Sequence, residues 1–364
     1  MNSVALATHE LDFKFAAGTS RGILKRHTAH YIKLDRNQKV GIGEAAPLAG
    51  LSLESKEEAL RQLHTAGRAL NDLGTWPINE NDIYSIAKSL ANNVASVRFA
   101  LEQALLAWQN ASADREFSQQ HWSGNFVEGK EGIKTNGLIW MGDHKEMITR
   151  AEEKLQAGFS CLKMKIGAIN YADELAILKA LRKNFSYKEL TLRVDANGAF
   201  AYDEAKEVLR DLKKLEIHSI EQPIMAGQLD EMAKLCADAA IPVALDEELI
   251  GVREEEYEHL LDYIKPAYII LKPTLLGGAA VCHQLVSSAR QRNIGYWFTS
   301  ALESNVGLNA VAQLANSFDI EIPQGLGTGQ LYYNNIDSPL VLENEWLWSR
   351  SGNWNMTKLN WQAL

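Results

Sequence analysis

Five ionisable residues, Lys165, Asp195, Glu221, Asp246 and Lys272, recur along the chain at nearly one interval, and each closes a short apolar, β-rich run. The last three steps are 26, 25 and 26 residues (221−195, 246−221, 272−246) and the first is 30 (195−165). That is roughly the length of a strand with its crossover helix. In a βα-barrel all five side chains then emerge at the C-terminal ends of neighbouring strands, where barrel active sites sit. Three carboxylates flanked by lysines can hold a divalent cation with an amine on either side. Mg²⁺ suits this set, because it takes oxygen ligands and keeps further positions for water or substrate oxygens. No His or Cys stands at an equivalent strand end to favour a softer metal. Structural ion pairs on a barrel rim are the alternative, and they account for one acidic strand end more readily than for three in register.

Lys163 and Lys165 share a face, because strand side chains repeat every second residue. Two neighbouring ammonium groups lower each other's pKa, as does partial burial, so Lys165 is expected to accept a proton near pH 7. Lys272 follows Asp246 by one strand and lies across the metal from Lys165. A small-molecule carboxylate bound to Mg²⁺ would have its α-carbon between the two lysines. The cation would stabilise the enediolate left when the α-proton departs.

The elements that must position these groups fall into two textures. Residues 4–16, 28–34 and 39–44 alternate as strands, with a hairpin turn at 35–38, and helices follow at about 54–72, 80–91 and 94–109. Strands followed by helices predict an α+β capping domain over 1–110. Residues 111–133, rich in Ser, Gln, Glu and Gly, read as a connection. Over 134–330 strand and helix alternate, with strands expected near 136–141, 160–165, 191–195, 217–221, 242–246, 267–272, 294–300 and 318–322. In the helix after the third of these, Ala205, Val208, Leu209 and Leu212 fall on one face, and Asp203 can cap its start. Eight such strands predict an α/β fold of the (β/α)8-barrel type; an open doubly wound sheet is the alternative. Residues 331–364 carry Trp346, Trp348, Trp354 and Trp361 without βα rhythm and are expected to return to the cap and complete it.

Bulk properties narrow the partners. The 364 residues carry a net charge of −9, against nucleic acid or an anionic membrane as partner. The three cysteines, Cys161, Cys236 and Cys282, lack metal-ligand spacing and read as reduced thiols. The N-terminal stretch lacks a signal-peptide apolar core, and no apolar run approaches a membrane span. A cytoplasmic location is therefore expected, and the composition is compatible with a homo-oligomer.

Lys163-Met-Lys165, Val194-Asp195-Ala-Asn197, Glu221-Gln-Pro223, Ala244-Leu-Asp246-Glu247 and Leu271-Lys272-Pro273 resemble the barrel motifs of the enolase superfamily. The resemblance spans essentially the whole chain, including Gly43-Glu-Ala-Ala-Pro47, and two lysines with no barrel histidine as base match the muconate-lactonizing subgroup. Within it, the closest resemblance is to the o-succinylbenzoate synthase family. Pro47-Leu-Ala-Gly-Leu-Ser52 is similar to that family's Pro-Leu-Pro-Gly-Phe-Ser, with Ala49 and Leu51 departing from it. Ser300-Ala-Leu-Glu303-Ser304 and Gly325-Leu-Gly327-Thr328-Gly329 look like its seventh- and eighth-strand regions.

The resemblance implies Mg²⁺ on Asp195, Glu221 and Asp246, and a syn dehydration of 2-succinyl-6-hydroxy-2,4-cyclohexadiene-1-carboxylate to 2-succinylbenzoate in menaquinone biosynthesis. Lys165 would act as base and then acid, with Lys272 and Lys163 completing the cationic set. Ser300, Ser304, Gly327 and Thr328 are expected to meet the substrate's succinyl end, and cap loops containing Arg21 and Leu48 to close over it. Two acids nearby are discounted as ammonium acceptors, Glu303 by strand alternation and Glu321 because it precedes the expected strand end. An N-acylamino acid racemase or dipeptide epimerase of the same subgroup is the rival. Dipeptide epimerases present an Asp-x-Asp near strand eight, and residues 322–329 contain no acid. A non-catalytic binding barrel is a third option, opposed by the complete set of lysines and carboxylates.

Overall fold

The computed structural model describes residues 3–19, 22–112, 119–168 and 170–364, without the side chains of 16–19 and 22–23. An antiparallel meander, β1 (Ser3–Thr19), β2 (Gly22–Arg36) and β3 (Lys39–Ala45), opens the chain. The β2–β3 turn is made by Asn37 and Gln38, both left-handed (φ 54° and 61°), as a two-residue hairpin turn matching strand twist requires. Helices α1 (Lys56–Asn71), α2 (Glu80–Ala91) and α3 (Ala95–Asn110) cover one face. Ser55 and Asn79 cap α1 and α2 through side-chain oxygens that accept the N–H groups of Glu58 and Asp82.

Helix α3 lies so close to β3 that only glycine fits at two positions. A Cβ at Gly43 would stand 1.8 Å from the Ala100 carbonyl oxygen, and one at Gly41 would stand 2.0 Å from that of Ala104. Gly43→Ala is therefore expected to destabilise the protein by about 1–3 kcal/mol or more through forced separation of helix and strand. The check is urea unfolding, where an unchanged midpoint would contradict this packing.

Residues from 133 onward build a parallel sheet. A short strand β4 (Ile133–Lys134) precedes β5 (Gly137–Ile139), β6 (Cys161–Lys165), β7 (Thr191–Asp195), β8 (Ser219–Glu221), β9 (Val243–Leu245), β10 (Tyr268–Leu271) and β11 (Gly295–Phe298). Strands β5 to β11 lie in chain order in one seven-stranded sheet. Around them run α4 (His144–Gln156), α5 (Tyr171–Asn184), α6 (Tyr202–Lys214), α7 (Leu229–Ala237), α8 (Tyr257–Ile264), α9 (Pro273–Leu276), α10 (Ala279–Gln291) and α11 (Asn305–Asn316). The predicted face of α6 is the buried one, Ala205, Val208, Leu209 and Leu212. Asp203 is not its cap: Ala201 holds that position without a side-chain bond, and Asp203 pairs with Lys206 in the first turn.

The eighth strand differs from expectation. Residues 318–322 form no ladder, and the ring is closed two and three residues later by parallel bridges of Gln324 to Thr135 and Gly325 to Thr299. Pro323 lacks the N–H a longer ladder needs. The Gln324 side chain substitutes, accepting from the Phe298 N–H (2.7 Å) and donating to the Ile322 carbonyl (2.6 Å). The result is a β/α barrel closed at a short seam.

The segment after 331 divides. Strands β12 (Leu340–Glu343) and β13 (Trp346–Ser349) form a hairpin that pairs with β4, where Glu345 accepts from Ser160 and Lys134. Both ends of the segment reach the cap: Leu331 and Tyr333 bond the backbone of Lys14 and Asp12, and β14 (Gln362–Ala363) pairs with β1 beside Trp361, over whose ring the Lys33 ammonium sits at 5.0 Å. Trp346 and Trp348 thus belong to the barrel, and Trp354 and Trp361 pack with the cap cluster. That cluster joins Leu11, Phe13 and Leu48 of the cap to Trp140, Ala301, Leu302 and Val306 of the barrel, so the cap lies over the barrel mouth. Among the described residues no helix is long and apolar enough to cross a membrane.

Candidate active site

Each of the five recurring residues ends or directly follows a barrel strand: Lys165 on β6, Asp195 on β7, Glu221 on β8, Asp246 after β9 and Lys272 after β10. The three carboxylates offer oxygens that all lie within 4.8 Å of one another, each buried. Lys163 lies beside Arg193 in register and Lys165 beside Asp195, which turns both ammonium groups into the barrel. Lys163 Nζ donates to Glu221 Oε2 (2.7 Å) and Asp195 Oδ2 (3.1 Å). Lys165 Nζ donates to the same Asp195 oxygen (3.0 Å) and to Asn197 Oδ1 (2.5 Å). Across the triad Lys272 donates to Asp246 Oδ2.

These contacts set the charge state of Lys163. Burial alone would push Lys163 down, but Glu221 and Asp195 outweigh it and hold its ammonium above the ordinary lysine range. Burial works against the charge of Asp195 in turn, yet Lys165, Lys163 and Lys272 keep its carboxyl below the usual carboxylate range. Glu221 is pushed upward, by burial first and by Asp195 and Asp246 besides, against the pull of Lys163. At Lys163 repulsion from a neighbouring ammonium is thus the smaller effect, because carboxylates from two other strands stand beside it. The triad suits a hard cation: its donors are all carboxylate oxygens, and the buried Glu221 Oε1 has no hydrogen-bond partner among the described residues.

Beside the triad a cavity of about 260 Å³ is lined by Lys163, Lys165, Asp195, Asn197 and Lys272 below and by Phe15, Leu48 and Leu51 of the cap above. Of the residues expected to meet substrate, Ser300, Gly327, Thr328 and Leu48 line this cavity. Ser304 does not. It caps α11, and its hydroxyl donates to Glu44 Oε2 (2.5 Å), a buried cap carboxylate that also accepts from the N–H groups of Ser304 and Gly307. Arg21 lies outside the described residues. Glu303 is indeed unavailable to a ligand, but not through alternation, since β11 ends at Phe298 and Leu302 is left-handed (φ 69°). Its carboxylate is taken up by the hydroxyls of Thr274 and Ser300 (both 2.5 Å) and the Ala301 N–H (2.8 Å). Ser300 thereby gives its proton to Glu303, and Thr328 donates to Ser300 (2.8 Å). Glu321 is exposed.

One part of the cavity had no signal in the sequence. Arg150, Glu153 and Lys154 of α4 line it together with Asn136 and Trp140. Arg150 is fixed by donating to the carbonyls of Trp140 (3.0 Å) and Met141 (2.8 Å) while its guanidinium lies 5.4 Å from the Phe15 ring. On α4 these residues alternate with exposed charges and read as a solvated helix face.

Comparison with known proteins places this geometry. Residues 146–348 match the model of the family described as enolase C-terminal domain-like. The chain is 42% identical over 357 residues to the o-succinylbenzoate synthase of Desulfotalea psychrophila, spanning 92% of this chain and 95% of that one. The crystal structure of MenC from the same organism superposes with a TM-score of 0.83 at 38% identity, covering 95% of this chain and 99% of that one. The L-Ala-D/L-Glu epimerase of Bacillus subtilis shares the fold at a TM-score of 0.81 and 19% identity, over 95% and 96% of the two chains. The chain belongs to the enolase C-terminal domain-like family and, within it, to the o-succinylbenzoate synthases.

Proposed function

We propose that the chain dehydrates 2-succinyl-6-hydroxy-2,4-cyclohexadiene-1-carboxylate to 2-succinylbenzoate, a cytoplasmic step of menaquinone biosynthesis. The observation that carries this reading is 42% identity to an o-succinylbenzoate synthase across nearly the full length of both chains. Asp195, Glu221 and Asp246 would hold one Mg²⁺, which supplies positive charge against the substrate's ring carboxylate. Lys165 Nζ takes the α-proton and returns it to the departing hydroxyl on the same face, so one amine serves as base and acid. Lys272, four strands away from Lys165 in the sheet order, stays cationic and opposes the charge that develops on the carboxylate. Leu48, Leu51 and Phe15 close the cavity above and keep water from the reacting carbon.

The cavity also favours a dianionic substrate. Its arm on α4 carries two cations, Arg150 and Lys154, against one carboxylate, Glu153. Glu303 is fully engaged, and Glu321 does not line the cavity. A free α-amine would enter with little counter-charge and incur an uncompensated desolvation cost. The test is a side-by-side assay of the purified protein with the cyclohexadiene substrate, N-succinylamino acids and unblocked dipeptides. Dehydration is expected to exceed dipeptide epimerisation by orders of magnitude in kcat/KM. N-succinylamino acids, which retain both carboxylates and could be racemised between Lys165 and Lys272, are the expected secondary substrates. Efficient epimerisation of an unblocked dipeptide without dehydratase activity would overturn this assignment and leave the lysine and metal roles standing.

A further inference from the structure

Gln222, the residue after Glu221, is fully buried and adopts a left-handed backbone conformation (φ 38°) without being glycine. Such strain persists only where the surroundings over-determine it, and it concentrates at functional sites. The surroundings here are the three segments that carry the triad. The Gln222 carbonyl accepts from the Gly198 N–H (2.7 Å), three residues beyond Asp195. Its own N–H donates to the Ala244 carbonyl (2.9 Å), two residues before Asp246. Its side-chain Oε1 accepts from the N–H of Asp246 itself and from that of Glu248 (both 3.2 Å). Nε2 donates to the Ile224 carbonyl and to Glu248 Oε2 (both 3.0 Å), and Glu248 Oε1 in turn accepts from the Gly227 N–H (2.8 Å).

The side-chain amide thus ties the end of β8 to Asp246 and Glu248 after β9, while the main-chain carbonyl of Gln222 ties the same point to the segment after β7. Three carboxylates held within 4.8 Å of one another repel, and a fixed backbone beneath them opposes their spreading alongside the lysines that bond them. Asp246 needs such fixing most, because it lies beyond the last ladder residue of β9. We propose that Gln222, braced by Glu248, is a positioning residue that sets the spacing of Asp195, Glu221 and Asp246 and thereby the affinity of the site for a hard divalent cation. This rests on the reading of the triad as the Mg²⁺ site.

The test is calorimetric titration of the full-length protein with MgCl2, comparing wild type, Gln222→Met and, as a matched control, Gln324→Met. Gln324 is also a buried, fully bonded glutamine, but it closes the barrel seam away from the triad. Gln222→Met is expected to weaken Mg²⁺ binding by about 10–100-fold, with turnover recovering as Mg²⁺ is raised. Gln324→Met is expected to lower Tm and leave the dissociation constant unchanged. If Gln222→Met does not fold, Glu248→Ala, which removes the brace alone, carries the test with a several-fold weakening. A dissociation constant equal to wild type in the folded Gln222→Met or Glu248→Ala protein would overturn the proposal. Absence of Mg²⁺ binding to wild type would instead overturn the reading of the triad, a distinguishable outcome.

Discussion

Lys165→Ala is expected to abolish both dehydration and exchange of the substrate α-proton with solvent, a loss of about 10²–10⁴-fold or more in kcat. The fold should survive the change. Lys165 belongs to no hydrophobic cluster, and Asp195 keeps its bond to Lys163 and the Asn197 N–H when the Lys165 ammonium is gone. Lys165→Arg should be equally inactive, because a guanidinium is not deprotonated in a protein. Lys272 offers the contrast. Lys272→Ala removes a charge that faces the developing anion, so Lys272→Arg should recover part of the activity. Proton NMR in D2O, following wash-out of the α-proton beside product formation, separates the two roles. Substantial turnover by Lys165→Arg would place the base elsewhere.

The second large effect concerns the carboxylates. Asp246→Asn is expected to lower kcat by at least about 10²–10³-fold, the scale seen when one stabiliser of developing charge is removed, and to weaken Mg²⁺ binding. Asp246 is the cleaner choice than Asp195 for a physical reason. Asp195 accepts from both Lys163 and Lys165, so its replacement takes a partner from two ammonium groups at once, whereas Asp246 pairs with Lys272 alone among the lysines. Circular dichroism should therefore show a native fold for Asp246→Asn. Full metal-dependent turnover by this variant would remove Asp246 from the metal site.

The triad and its lysines were legible in the sequence because a barrel repeats one supersecondary unit, so chemistry at strand ends recurs at the length of that unit. The same rule misplaced the eighth strand, where closure comes from two bridges and the Gln324 amide rather than from an apolar run. Ser304 and Glu303 were read by strand alternation beyond the point where it applies. The chain leaves the sheet at Phe298, and the direction of every later side chain is set by a left-handed Leu302 and the start of α11. Arg150 and Lys154 gave no signal, since a cation on a polar helix face looks alike whether it meets water or a cavity. The state of Lys163 was also hidden, because it depends on carboxylates contributed by strands 32 and 58 residues further along.

The pairing of β14 with β1 bears on how the molecule comes into being. Ala5 and Leu6 find their partners at Ala363 and Gln362, so this edge of the cap sheet joins residues 358 positions apart (363−5). During synthesis the meander of β1 to β3 leaves the ribosome first, and its outer edge has to wait for hundreds of residues, including the whole barrel. An uncovered strand edge is a template for unwanted pairing, and contacts between distant residues form late because loop closure must precede them. The barrel is the part that can become compact while the chain is still growing. The cap edge closes last, so a nascent or refolding chain is most exposed to misassembly along β1.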